Sequence, residues 1–415
     1  MYRMKKYFFL ILITGFCQTV LLCGAQPSAD PPGIGHVDTI ASTLLKEQRV
    51  LWIYQPRGES NPAMAPKIFP VLYLLDGDDH FPYVVSLVRR LSEGFSHVLP
   101  EMIIVGISNT NRMRDLTPTH IRRTRTISDT SVFRETGGGA VFLSFMEKEL
   151  FPYISERYPA NAFRVLAGHS LGGLMVADAM VSRPGLCQGW ISIDPSLWYD
   201  DQYLLRSLDQ TGKAEVRKPA SFFMAMANNL PAGMDTLRMH RDSSAVTEDN
   251  RAISNFARRL ETNPLPDLSW SWKFYPDDDH GSVTSIALYD GLRYVFRDYR
   301  LPAFSDLLAP DADPVRMLEE WSERNTGRWG FRVHPPESFM NALGYAFMQR
   351  KQLPEAERIF RANIDAYPGS ANAYDSMGDC QLALGQPQRA RFFYEQSLRV
   401  RENSATRAKL GQLPK

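Results

Sequence analysis

Cysteine is scarce, with four in 415 residues. Two of these, Cys17 and Cys23, fall in an apolar N-terminal stretch, and Cys187 and Cys380 lie far apart in the remainder. That spacing argues against a disulfide framework and leaves stability to a large core. An excess of one charge is also missing. The 47 Lys and Arg offset 46 Asp and Glu for a net charge of +1, which removes any global reason to expect nucleic acid or an anionic membrane as partner. Beyond the N-terminus no stretch is apolar enough to span a bilayer. The chain has no H-E-x-x-H, no paired C-x-x-C and no G-x-x-x-x-G-K-[ST], so neither a metal nor an organic cofactor is expected. Gly137-Gly138-Gly139 precedes a helical pattern, but no strand runs into it, and it reads as a helix entry rather than a phosphate cradle.

The N-terminal stretch has the pattern of an export signal. Lys5 and Lys6 are followed by the apolar run Tyr7 to Leu22 and by Cys23-Gly24-Ala25. Residues 1–25 therefore read as a cleaved signal peptide, leaving no stable membrane insertion. Phe16 and Leu22, before the two cysteines, do not suit lipidation. Export with few cysteines fits a bacterial periplasmic or secreted protein. Residues 26–37, rich in Pro, Gly and Ser, read as a linker.

Seven strand-like segments come next, at Val50–Tyr54, Phe69–Leu75, Met102–Gly106, Phe163–Ala167, Trp190–Ile193, Ser221–Ala227 and Trp270–Tyr275. Helical periodicity separates them at Phe81–Leu91, Ala140–Arg157, Leu171–Val181 and Asn250–Leu260. Short apolar strands alternating with helices predict an α/β domain over 38–300, a mostly parallel sheet with helices on both faces. Residues 301–336 carry prolines and no strand signal, and read as a linker with a short helix. Residues 337–415 are helical and repeat. Leu343-Gly344 recurs as Met377-Gly378, Ala356 as Ala390 and Phe360 as Tyr394, each 34 residues on. With Met340, Phe347 and Pro368, these positions resemble the tetratricopeptide repeat, a small all-α domain that could serve a protein partner.

Gly168-His169-Ser170-Leu171-Gly172 sits between a strand and a helix, the setting of a nucleophile elbow in an α/β-hydrolase. The turn pushes the Ser170 hydroxyl out at the carboxyl end of the sheet. It also puts the Leu171 amide at a helix start, where it can donate to an oxyanion. A serine needs a base, and His280, in the loop after the last strand, comes after it in the order this fold uses. His169 is read as structural. The orienting acid is expected after Ser221–Ala227, but that strand ends in Asn228-Asn229. Among the later carboxylates Glu248, at the start of the next helix, is the candidate, with a Ser–His dyad as the alternative. Gly77 or Asp78, after the second strand, is the second oxyanion donor. Asp194-Pro195-Ser196-Leu197-Trp198-Tyr199 leaves a strand on the active-site side, and Trp198 is a candidate pocket wall. Arg112, Arg114, Arg122, Arg123 and Arg125 read as a solvated, partly salt-bridged surface.

Together, Leu74-Leu75-Asp76-Gly77, Gly168-His169-Ser170-Leu171-Gly172-Gly173, Pro195-Ser196-Leu197-Trp198 and Asp279-His280-Gly281-Ser282-Val283 resemble the putative esterase family. It includes esterase D, the ferric siderophore esterases and the antigen 85 acyltransferases. The resemblance covers roughly residues 38 to 300. It implies an acyl-enzyme on Ser170, His280 as base, and an oxyanion hole from Leu171 and the Gly77–Asp78 region. The substrate would be a small-molecule ester, whether siderophore, carbohydrate-linked or other. Many relatives carry Glu or Asp where this chain has Asn228-Asn229. An acyltransferase, or a scaffold acting through the repeats, are the alternatives.

Overall fold

The computed structural model describes residues 34–56, 68–92, 98–122, 130–210 and 219–414. The signal-like segment, Arg123 and Arg125 lie outside the described residues. The strands are β1 His36–Ser42, β2 Glu47–Tyr54, β3 Phe69–Leu74, β4 Ile103–Ile107, β5 Ala160–His169, β6 Gly189–Ile193, β7 Ala220–Ala227 and β8 Leu268–Tyr275. They form one eight-stranded sheet in the order β1-β2-β4-β3-β5-β6-β7-β8. The β1–β2 and β2–β4 pairs are antiparallel and every other pair is parallel. All seven expected strands are present. The additional one, β1, lacks a clean apolar alternation and runs into the stretch read as linker.

Burial follows strand position. Every residue of β3, β4 and β6 is buried, as central parallel strands covered on both faces require. In β2 only Arg49, Leu51 and Ile53 are fully buried, which gives an alternating strand near the edge. Arg49 is tolerated there because its guanidinium donates to Asp115 Oδ2 at 2.6 Å and to the Ser108 carbonyl at 3.0 Å.

The helices of the α/β part are α1 Gly77–Ser92, α2 Arg112–Asp115, α3 Gly139–Phe145, α4 Phe151–Arg157, α5 Leu171–Ser182, α6 Tyr199–Gln210, α7 Thr236–Arg241, α8 Glu248–Thr262 and α9 Val283–Val295. Helices α3 and α4 are joined through a π-turn at Met146–Leu150, so the expected Ala140–Arg157 helix is one continuous rod with a local widening. Helix α5 is buried from Leu171 to Val181. An all-round apolar helix is stable only where protein surrounds it.

After α10 (Phe304–Leu307), α11 (Pro314–Trp329) is longer and more deeply set than a linker helix. Trp321 is 0% exposed, and its Nε1 donates to the Tyr299 carbonyl at 3.1 Å. The Trp329 ring stacks on Tyr299 at 5.0 Å and lies 5.9 Å from Phe163. Phe163 is near the amino end of β5, seven positions before Ser170, so this attachment sits roughly 20 Å of strand away from the serine. Helices α12 Glu337–Gln349, α13 Leu353–Ala366, α14 Ala371–Ala383, α15 Pro387–Val400 and α16 Ser404–Gln412 complete the chain. One contact occurs twice here. A Cβ on Gly344 would meet the Phe360 ring at 2.5 Å, and one on Gly378 would meet the Tyr394 ring at 2.4 Å. The buried Ala356 and Ala390 occupy matching places. Cys187 and Cys380 are both buried free thiols. Among the described residues, no helix is long and apolar enough to cross a membrane.

Trp321 joins α11 to the end of the α/β part. Trp321→Ala is expected to destabilise the protein by roughly 3–5 kcal/mol, by lost burial and the cavity left behind. A thermal melt unchanged from the native protein would contradict this docking.

Candidate active site

Three parallel strands end side by side, and each ends in a strained residue. Asp76 after β3 has φ 53°, Ser170 after β5 has φ 59° and Asp194 after β6 has φ 38°. Non-glycine residues seldom adopt positive φ, and they persist where surrounding contacts over-determine the backbone. At Ser170 the cause is visible. A Cβ on Gly168 would lie 2.6 Å from the Gly172 main chain, and one on Gly173 would lie 2.9 Å from the Ile193 carbonyl. The elbow therefore closes only with glycine at these positions. The Ser170 amide donates to the Ile193 carbonyl at 3.0 Å, which ties the elbow to the next strand. Its Oγ lies 3.4 Å from Ser196 Oγ.

The imidazole of His280 reaches this point from the loop between β8 and α9. Its Nδ1 is 2.6 Å from Asp194 Oδ2. The Asp194 carboxylate is 3% exposed. It also accepts from the Ala227 amide at 2.8 Å and from Asn229 Nδ2 at 2.9 Å. Three donors thus offset the desolvation of one buried charge. The hydrogen bond to Asp194 is the main cause that holds the His280 pKa above the ordinary imidazole value. Burial opposes it, the charges of Asp194 and Asp249 add to it, and Arg112 works against it. With Nδ1 on the carboxylate, Nε2 is left as the face that can take a proton.

Glu248 does not join this pair. It lies in the first turn of α8, where acidic residues favour the helix dipole. The α8 carboxylate whose charge acts on His280 is its neighbour Asp249. The carboxylate on the imidazole is Asp194, one strand closer to the serine than the end of β7, where chain order puts the acid. Its signal is present in the sequence: a carboxylate directly after an apolar parallel strand, at the sheet's carboxyl end. Asn228 and Asn229 have other partners. The Asn228 main-chain N–H donates to the Asp278 carbonyl at 2.7 Å, and Asn229 Oδ1 accepts from the His280 main-chain N–H at 2.9 Å. Asp279 folds back on its own loop, accepting from the Gly281 and Ser282 amides at 2.9 Å each.

His169, read as structural, packs directly against the His280 ring. Its ring centroid lies 4.4 Å from that of His280. Burial, helped by the neighbouring His280 charge, pushes its pKa down to about 4. It is a neutral ring packed against His280 at neutral pH.

The Leu171 amide opens α5, and the Gly77 and Asp78 amides open α1, so these N–H groups lack intrahelical acceptors. The two helix starts are adjacent, since a Cβ on Gly172 would lie 3.1 Å from Asp76 Oδ2. Arg112 locks them together. It donates to Asp76 through Nε at 2.7 Å and Nη2 at 3.0 Å, and to the His169 carbonyl at 3.2 Å. Arg114 is likewise engaged, with Asp115 at 2.7 Å and Glu47 at 2.9 Å. Both arginines are ion-paired, but Arg112 pairs within the site with the buried Asp76 rather than on a solvated surface. Trp198 is half-buried against the core, its ring 6.1 Å from that of Tyr199.

A mostly parallel sheet of this order, with a strained residue in the tight turn between a central strand and a helix, defines an α/β-hydrolase fold. The family model described as Putative esterase matches residues 42–203. The IroE-like serine hydrolase from Shewanella oneidensis is 32% identical, with 79% of this chain and 98% of that one covered at a TM-score of 0.65. The ferri-bacillibactin esterase BesA of Bacillus subtilis is 31% identical over 43% of this chain and 66% of its own length. The siderophore triacetylfusarinine C esterase of Aspergillus fumigatus is 26% identical over 55% of this chain and 82% of its own. The chain belongs to the Putative esterase family.

Removing the guanidinium of Arg112 leaves the Asp76 charge buried without its cation. Arg112→Met is expected to cost about 3 kcal/mol of stability and to lower kcat by loosening the two helix starts. Denaturant midpoints equal to the native value would rule out this brace.

Proposed function

We propose that the protein cleaves small carboxylic esters through an acyl-enzyme on Ser170, with His280 as general base and Asp194 as its orienting acid. The observation that carries this reading is the 2.6 Å His280–Asp194 hydrogen bond beside the elbow serine. Ser170 rotates from its long 3.4 Å contact with Ser196 toward His280 Nε2, a hydrogen bond that often tightens only when substrate is bound. His280 takes the hydroxyl proton as Oγ attacks the ester carbonyl. The resulting oxyanion is held by the Leu171 amide and by an amide of Gly77 or Asp78. Collapse breaks the carbonyl–alkoxy bond, and the alcohol leaves with the proton from His280. Water then gives its proton to His280, attacks the acyl-enzyme and releases the acid with Ser170 restored. The Asp194 carboxylate keeps the imidazole in the required tautomer and stabilises the imidazolium in both steps.

The relatives' names favour a siderophore ester as substrate. The N-terminal pattern favours export, so the reaction would run outside the cytoplasm. We assign residues 38–300 to the catalytic domain and 337–415 to a tetratricopeptide-like domain. Its attachment through α11, at the amino end of the sheet, suits a brace or a partner platform rather than a lid.

Hydrolysis of p-nitrophenyl butyrate and of intact ferric siderophores, the latter followed by chromatography, tests the reading. Ser170→Ala and His280→Ala should abolish turnover, and Asp194→Asn should lower kcat by about 10^3- to 10^4-fold. Because Asp194 raises the His280 pKa, the native acid limb of kcat/KM should lie above the ordinary imidazole value, activity being lost as pH falls through it. Asp194→Asn should move that limb down. Native-level turnover in Ser170→Ala would overturn the mechanism.

A further inference from the structure

The end of β7 carries an amide that touches both members of the pair. Asn229 Nδ2 donates to Asp194 Oδ2 at 2.9 Å, and Oδ1 of the same side chain accepts from the His280 main-chain amide at 2.9 Å. One planar group of fixed length thus spans the acid and the backbone of the base. The loop has a separate fastening, from Asn228 Nδ2 to the Pro276 carbonyl at 2.8 Å, so Asn229 is not needed merely to hold it down. The donor–acceptor pattern is specific to an amide. A carboxylate here could still accept from His280 but could not donate to Asp194. It would also put a second negative charge beside Asp194 Oδ2.

We propose that Asn229 is a positioning residue of the active site, clamping Asp194 against His280, and that it must be neutral because the acid stands at the end of β6. This rests on the reading of Asp194 as the orienting acid. By engaging Oδ2, the amide limits rotation of the carboxylate, and the Ala227 amide holds Oδ1 from the other side. Several charged or titratable groups already act on His280: Asp194 after β6, Asp249 on α8, Arg112 on α2, and His169 at the elbow. Asp279 adjoins it within the loop and interacts with it as well. A new carboxylate at 229 would add to the acidic side of this balance and favour the imidazolium, which is inactive as a base.

The test is the pH dependence of kcat and kcat/KM on p-nitrophenyl butyrate for the full chain and for Asn229→Ala, Asn229→Asp and Asp194→Asn. Asn229→Ala should lower kcat about 10- to 100-fold with KM near native, the effect of losing a hydrogen bond to a charged group. Asn229→Asp, which keeps the shape, should lower kcat at neutral pH and shift the acid limb of kcat/KM upward by about one pH unit, regaining part of its rate in alkaline buffer. A merely structural asparagine would leave the acid limb in place. Asn229→Asp with native rates and a native profile overturns the clamp, and it remains informative if Asn229→Ala does not fold. If Asp194→Asn is inactive while Asn229→Asp is native, only the clamp fails. If Asp194→Asn keeps the native rate, the acid assignment beneath it fails.

Discussion

A carboxylate buried at the end of a central strand must have its charge compensated, and at Asp194 that need organises the active site. Its three donors come from three different places: the main chain at the end of β7, the Asn229 amide just beyond it, and the imidazole in the loop after β8. No single element could supply them. Satisfying one charge therefore fixes the relative positions of two strand ends and a loop. The histidine is set beside the serine as a by-product of solvating the acid with protein groups. The same interaction makes His280 more basic than a free imidazole, so structure and reactivity have one cause.

The strand ends carry the strain that such a site needs. Asp76, Ser170 and Asp194 all hold positive φ, and each is fixed by contacts to a neighbouring strand or loop. Arg112 is the brace on the oxyanion side, joining the start of α1 to the elbow through Asp76 and the His169 carbonyl. His169 closes the other side as a neutral ring against His280. Helix α11 is docked away from the serine, where Trp321 and Trp329 bury themselves against Tyr299.

Much of this is legible in sequence because the signals are local. The parallel strands read as uninterrupted apolar runs, the elbow as glycines at fixed offsets around Ser170, and the proposed base as the histidine after the last strand. The 34-residue recurrence is legible for the same reason, since the Gly344–Phe360 and Gly378–Tyr394 contacts impose one steric demand twice. Strand β1 escapes a sequence reading because an edge strand exposed along one side carries little apolar pattern, and its neighbouring prolines and glycines point to linker. Sequence order favours Glu248 because it comes after β7; its actual setting is a helix start, where the dipole accounts for it.

What the sequence determined by itself was the order of chemistry along the chain: strand, serine, helix, then histidine, on an α/β scaffold. Which carboxylate orients the histidine was decided only by tertiary structure. Asp194 and His280 are 86 positions apart, and whether they meet depends on the parallel register of β6, β7 and β8 and on the turn each strand end makes. Propensity and periodicity act over a few residues, whereas the pairing of a buried charge with its donors is settled by which strand ends the packed sheet brings within about 3 Å of one another.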